Sequence, residues 1–260
     1  MPSPSLLVVP YSTLFHGPGM EDGPDAIAAL LGGPTVRVPL ALDAPVAGAL
    51  ADGLPRLADA VAEARDPLVL LGECTLAPAV AGGLRRRHND LTLLWIDAHG
   101  DLNTPDTTPS GFLGGMPFAI LLGWCHDEIR RQAGLDQPLA EDRCALVGAR
   151  DLDPGERAAL DRSAIVESVD VAGALARLPA GPLWVHLDGD VLDPALAPGV
   201  DFPAPGGRTL AEVVADVAAA VATGRVVSVS VCCGNPRRDP DGRGARAYVA
   251  ALEPFLVPRR

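Results

Sequence analysis

The chain has 260 residues, 48% of them apolar, enough to bury a large core and more in keeping with one domain over 1–260 than with two. Its net charge of −12 would repel a phosphate backbone and so argues against nucleic acid as a partner. No apolar stretch is long enough to span a membrane, and the start, MPSPSLLVVPYST, lacks the basic region and cleavage site of a signal peptide, so the cytoplasm is the expected compartment.

In chain order, eight β-rich runs stand out: SLLVVPY, VRVPL, PLVLLGE, LTLLWIDAHGD, CALVGARD, AIVESVD, PLWVHLDGDVLDP and VVSVSVCCGNP. They are apolar at consecutive positions, as strands buried on both faces should be. Ala/Leu-rich helical patterns lie between and after them, including VAGALADGLPRLADAVAEA, RTLAEVVADVAAAVATG and RGARAYVAALEPFLV. The alternation predicts an α/β fold with a mostly parallel sheet of about eight strands and helices on both faces. The basic run Arg85 to Arg87 reads as a solvated helix end.

Polar residues gather where strands end, the edge on which such folds build their sites. WIDAHGD places Asp97, His99 and Asp101 at alternate positions, so all three point one way if the segment stays extended. HLDGDVLDP repeats the arrangement with Asp188 and Asp190. No Lys or Arg lies within either run, and burying several uncompensated carboxylates is costly. A pair of divalent cations removes that cost, and carboxylates with one imidazole suit a hard or borderline ion such as manganese. Five cysteines, Cys74, Cys125, Cys144, Cys232 and Cys233, show no CxxC spacing, so neither a zinc knuckle nor a disulfide scaffold is indicated. Cys125 and Cys144 read as core packing, and only one of Cys232 and Cys233 can face a site if their strand alternates. His16, His88 and His126 read as surface or capping groups, and His186 as packing beside its strand end.

DAHGD together with DGDVLDP resembles the ureohydrolase family of arginase and agmatinase, and the likeness runs from GPGMEDGP near the start to GNP near the end. It implies a three-layer α/β/α sandwich holding two manganese ions. Their ligands would be Asp97, His99, Asp101, Asp188 and Asp190, with Asp97 and Asp188 bridging. The sixth family ligand, a histidine, is replaced here by Cys74 in LGECT. The resemblance further implies that Asn103, Thr108 and Ser110 of NTPDTTPSG bind an α-carboxylate and that Asp153 and Glu156 of RDLDPGE bind an α-amino group. Such an amino-acid head makes agmatine a poor candidate. Asp101 would act as the proton carrier.

At the reacting end the family pattern breaks. Gly114 stands where the family has a proton-relaying histidine, Cys233 where it has a glutamate that pairs with the guanidinium, Ser230 where it has a nearby acid, and Phe202 where it has a threonine. A site without that carboxylate suits a guanidine that can enter neutral, and an N-hydroxyguanidine is far less basic than arginine. The expected reaction is cleavage of Nω-hydroxy-L-arginine to hydroxyurea and L-ornithine, as in family members that serve D-cycloserine biosynthesis. Arginase, a hydrolase for another guanidino or formimino acid, and a non-catalytic binding homologue are the alternatives. The chain stops soon after its last helical pattern, which favours a monomer.

Overall fold

In the computed structural model, which describes residues 4–257, the eight apolar runs form eight strands. They are β1 (Leu6–Val9), β2 (Thr35–Arg37), β3 (Leu68–Leu71), β4 (Thr92–Ile96), β5 (Cys144–Val147), β6 (Val166–Ser168), β7 (Leu183–Asp188) and β8 (Val226–Cys232). They pair in one sheet, in the order β2-β1-β3-β8-β7-β4-β5-β6, and every pairing is parallel. The sheet is therefore wholly parallel rather than mostly so.

Alternating residues of each strand feed two separate cores. Leu93 and Trp95 pack toward α2 (Val46–Glu63), α3 (Ala77–Arg85), α4 (Pro117–Leu121) and α5 (Asp127–Gln132). Leu94 and Ile96 pack toward α1 (Gly23–Leu31), α7 (Val171–Leu175), α8 (Leu210–Ala222) and α9 (Arg243–Leu256). Both faces are covered, which is why these strands read as continuous apolar runs. The three-layer expectation holds. Arg86 and Arg87 lie exposed just past α3, with Arg86 paired to Asp59, as a solvated helix end should. No helix of the described residues is long and apolar enough to cross a membrane.

The order places β3, β8, β7 and β4 side by side at the centre, so their carboxyl ends share one edge. Chain connections run outward from this region in both directions, which opens a crevice there. Beyond β5, α6 (Pro154–Leu160) begins beside that edge with a reciprocal cap: the Asp153 side chain accepts from the helix backbone while Glu156 accepts from Asp153 N at 2.9 Å. At β3 the chain must pass close to β1: a Cβ on Gly72 would lie 2.2 Å from the Tyr11 carbonyl oxygen. Glycine there lets the strand end deliver Glu73 and Cys74 to the crevice.

Candidate metal centre

Strand register builds the floor of the crevice. Trp95 is level with His186, and His186 with Ser230, so these three side chains share one face. Their rings stack, with 3.8 Å between the Trp95 and His186 centroids, and Ser230 Oγ lies 2.8 Å from His186 Nδ1 and accepts from Trp184 Nε1 at 2.9 Å. One strand period further on, the same face carries Asp97, Asp188 and Cys232. Ser230 is thus a core residue beneath the site and does not line the cavity, so its difference from the family pattern removes nothing from the substrate's surroundings.

Asp97 is held by its neighbours: Oδ2 accepts from Trp95 Nε1 at 2.8 Å and Oδ1 from His99 N at 2.7 Å. His99 Nδ1 lies 3.0 Å from Asp190 Oδ2 and 3.5 Å from Asp97 Oδ1. Asp188 Oδ1 accepts from Asp190 N at 2.9 Å, leaving Oδ2 toward Cys74 Sγ, also at 2.9 Å. Among the described residues, donor atoms gather into three groups: Asp97, His99 and Asp190; Cys74, Asp97 and Asp101; and Cys74, Asp188, Cys232 and Cys233. Asp97 belongs to the first two, the placement a bridging carboxylate needs. Asp188 falls with the thiols and is separate from the His99 group.

Two details depart from simple strand alternation. Asp101 has φ +51°, so DAHGD does not stay extended; the chain turns, and Asp101 reaches Cys74 and Asp97 by that turn. Cys233 has φ +64°, and this left-handed step brings both cysteines to one side. Cys74 Sγ lies 3.4 Å from Cys232 Sγ and 3.2 Å from Cys233 Sγ, so both thiols reach Cys74, while of the pair only Cys233 lines the cavity.

The donor set fits divalent cations. Asp97, Asp101 and Asp188 are buried, and no arginine is among the residues lining the cavity. Burial and then the neighbouring acids push all three carboxyls above their usual range. Asp101 Oδ2 is buried without a hydrogen-bond partner, which an ion would supply. Burial alone would lower the His99 imidazole, yet hydrogen bonds to Asp190 and Asp97 push it up to about 12.

The cavity above the floor has a volume of about 170 Å³, and Asn103, Thr108, Ser110, Asp153, Glu156 and Cys233 all line it. Asn103 Nδ2 donates to Asp153 Oδ2 at 2.8 Å, tying the two halves of the expected amino-acid subsite together. Glu156 is already engaged, accepting from Leu102 N at 3.0 Å and from Asp153 N.

Glu73 and Phe112 also line the cavity, and nothing in their local sequence marks them. Glu73 accepts from Thr13 N at 2.7 Å and from the Thr75 hydroxyl, and burial raises its carboxyl to about 7. Phe112 stacks on Phe202 with centroids 5.0 Å apart, and His16 meets Phe202 edge-on at 4.4 Å. His16 is exposed, as expected, but stands at the rim of the cleft rather than away from it. A Cβ on Gly114 would lie 2.2 Å from Phe112 Cζ, so the phenyl ring fills the space of the absent side chain. These aromatics come from separate loops, and no local spacing announces them.

The Arginase family model matches residues 4–257. Among curated relatives, an arginase of Brevibacillus brevis is 32% identical over 215 residues, covering 75% of this chain and 70% of that protein. The N(omega)-hydroxy-L-arginine amidinohydrolase of Streptomyces lavendulae is 35% identical over 184 residues, covering 69% of this chain and 64% of that one. The crystal structure of arginase from Bacillus cereus superposes with a TM-score of 0.88 at 26% identity, covering 98% of each chain.

Proposed function

Given that the chain belongs to the arginase family of metal-dependent hydrolases, which cleave carbon–nitrogen bonds of amidines and guanidines, we propose that its substrate is Nω-hydroxy-L-arginine and its products are hydroxyurea and L-ornithine. The observation that carries this reading is the reacting end of the cavity. Two stacked phenyl rings and Cys233 stand there, the Phe112 ring occupies the space beside Gly114, and the Glu73 carboxyl that also lines the cavity is engaged by Thr13 and Thr75 and raised to about 7 by burial. Such walls favour a neutral guanidine over a charged one.

The ions would be held by Asp97, His99 and Asp190 on one side and by Cys74, Asp97, Asp101 and Asp188 on the other. Two manganese ions held there would supply a water of lowered pKa and would neutralise charge developing at the guanidino group. Asp101, with its unpartnered Oδ2, takes up the proton released in the attack and hands it toward the departing nitrogen of ornithine. Asn103, Thr108 and Ser110 donate to the α-carboxylate, while Asp153 and Glu156 face the α-ammonium. Phe112 and Phe202 close the reacting end against bulk water.

L-arginine is the second reading. It is favoured by the arginases among the relatives and by the faces of Phe112 and Phe202, which can receive a guanidinium through cation–π attraction. Product analysis of the manganese-loaded protein on both substrates separates the two. The proposal expects hydroxyurea formation to exceed urea formation at equal substrate concentration, and faster turnover of L-arginine would overturn it.

A further inference from the structure

We infer that the cysteine side of the cleft is a thiolate-rich site for a zinc-like, thiophilic divalent cation, held by Cys74, Cys232, Cys233 and Asp188. The two metal positions would then take ions of different softness. This rests on the two-ion reading above and changes the ion at one position. It also brings Cys232 and Cys233 into the ligand set on that side, in place of Asp97 and Asp101.

The donors already converge. Cys74 Sγ lies 3.2 Å from Cys233 Sγ, 3.4 Å from Cys232 Sγ and 2.9 Å from Asp188 Oδ2, and Cys232 Sγ lies 3.3 Å from the same oxygen. Tetrahedral zinc with bonds of about 2.3 Å to sulfur sets neighbouring sulfurs about 3.7 to 3.8 Å apart. The sulfurs must therefore move apart by about 0.3–0.6 Å to take such an ion. All four residues are buried, and the three cysteines are free thiols.

The backbone points the same way. Adjacent residues of a strand face opposite sides, so Cys232 and Cys233 reach one point only because Cys233 adopts φ +64°, a conformation unfavourable for a side chain with a Cβ. The distorted strand end concentrates three soft donors opposite a carboxylate. Manganese prefers oxygen and nitrogen donors, and the neighbouring group of Asp97, His99 and Asp190 offers those; three sulfurs select a softer ion.

The test uses the full-length chain, stripped with chelator and titrated with Co²⁺, Zn²⁺ or Mn²⁺. Co²⁺ should produce the sulfur-to-cobalt charge-transfer absorption and tetrahedral d–d bands, one equivalent of Zn²⁺ should abolish them, and a tenfold excess of Mn²⁺ should not. Cys232→Ser and Cys233→Ser should each remove about a third of the charge-transfer intensity, one sulfur of three, while Cys125→Ser leaves it intact. A measurement on the unmutated chain guards against misfolded variants: Zn²⁺ should slow alkylation of Cys74, Cys232 and Cys233, read by peptide mass, and leave Cys125 reactive. The inference is overturned by an absent charge-transfer band, by displacement of Co²⁺ by Mn²⁺ as readily as by Zn²⁺, or by alkylation of the three cysteines indifferent to Zn²⁺. Hydroxyurea formation is followed on the same preparations. A band without turnover sinks the substrate reading and leaves this site standing, whereas turnover with Mn²⁺ and no band does the reverse.

Discussion

Restoring a histidine at Gly114 should fail unless Phe112 is removed first. The new Cβ would sit 2.2 Å from Phe112 Cζ and 2.4 Å from Cε1, far inside contact distance. The ring cannot simply swing aside, because Phe202 stacks on it at 5.0 Å and Phe15 packs on it at 4.8 Å. Overpacking of this kind costs about 1–3 kcal/mol, and losing an aromatic pair adds roughly 0.5–1.5 kcal/mol, so Gly114→His should destabilise by about 2–4 kcal/mol. Phe112→Ala alone loses the burial of one phenyl ring, about 2 kcal/mol. In the double variant the imidazole enters the vacated space, so its total should resemble Phe112→Ala alone, with a coupling of about 2–4 kcal/mol. Urea denaturation of the four proteins measures this, with constant m-values as the check that only stability has changed. Strictly additive losses would refute the claim that the ring occupies the histidine's place. The double variant should also raise the ratio of L-arginine to Nω-hydroxy-L-arginine turnover, since it regains a titrating group in the loop.

Three further outcomes follow from the same geometry. Asp101→Asn removes one charge from an uncompensated acidic cluster at a left-handed position that asparagine tolerates, so metal-free protein should gain about 1 kcal/mol in stability while activity and the stabilisation by added Mn²⁺ are lost; a lower melting temperature of the metal-free variant contradicts this. Burial lowers the His186 imidazole to about 3, so the folded state resists a proton that the unfolded chain accepts near 6.5, and stability present above that value falls as pH drops toward 3; His186→Gln should flatten this acid limb by an amount on the order of 4–5 kcal/mol, and an unchanged limb in urea titrations would count against a neutral buried ring. Acetylating the α-amino group of the substrate should raise KM about 10- to 100-fold, the worth of one charge-assisted contact, and Asp153→Asn should shrink that difference; equal KM values for both substrates place the amino group elsewhere.

What the sequence made readable is what the strand period controls. DAHGD and LDGD sit at the ends of apolar runs, and the row Trp95, His186, Ser230 followed by Asp97, Asp188, Cys232 is the two-residue repeat of three paired strands. Sheet pairing converts those repeats into one acidic floor without any loop having to be known. The same logic misled where the backbone leaves the strand. Asp101 and Cys233 both take positive φ, so one reaches the site by a turn and the other joins a sulfur cluster that alternation would forbid.

The reacting end lies beyond that logic, because its walls come from loops far apart in the chain. Phe15 and His16, Phe112 and Phe202 meet across the cleft mouth, yet they come from three separate segments, with nothing in their spacing to pair one segment with another. Gly114 shows the consequence. In sequence it is a lost histidine and therefore a lost function; in three dimensions a phenyl ring from two residues earlier fills the space, so the position has been converted from a proton relay into an apolar wall. The exchange is coherent with the cysteine in place of a carboxylate at Cys233: both changes remove a polar partner from the reacting end while leaving Asn103, Asp153 and the acidic floor in position. An inactive relative would have no reason to keep three buried carboxyls pushed above their usual range, since replacing them with apolar side chains would relieve that cost. Their retention beneath a remodelled apolar wall favours a changed substrate over a lost activity.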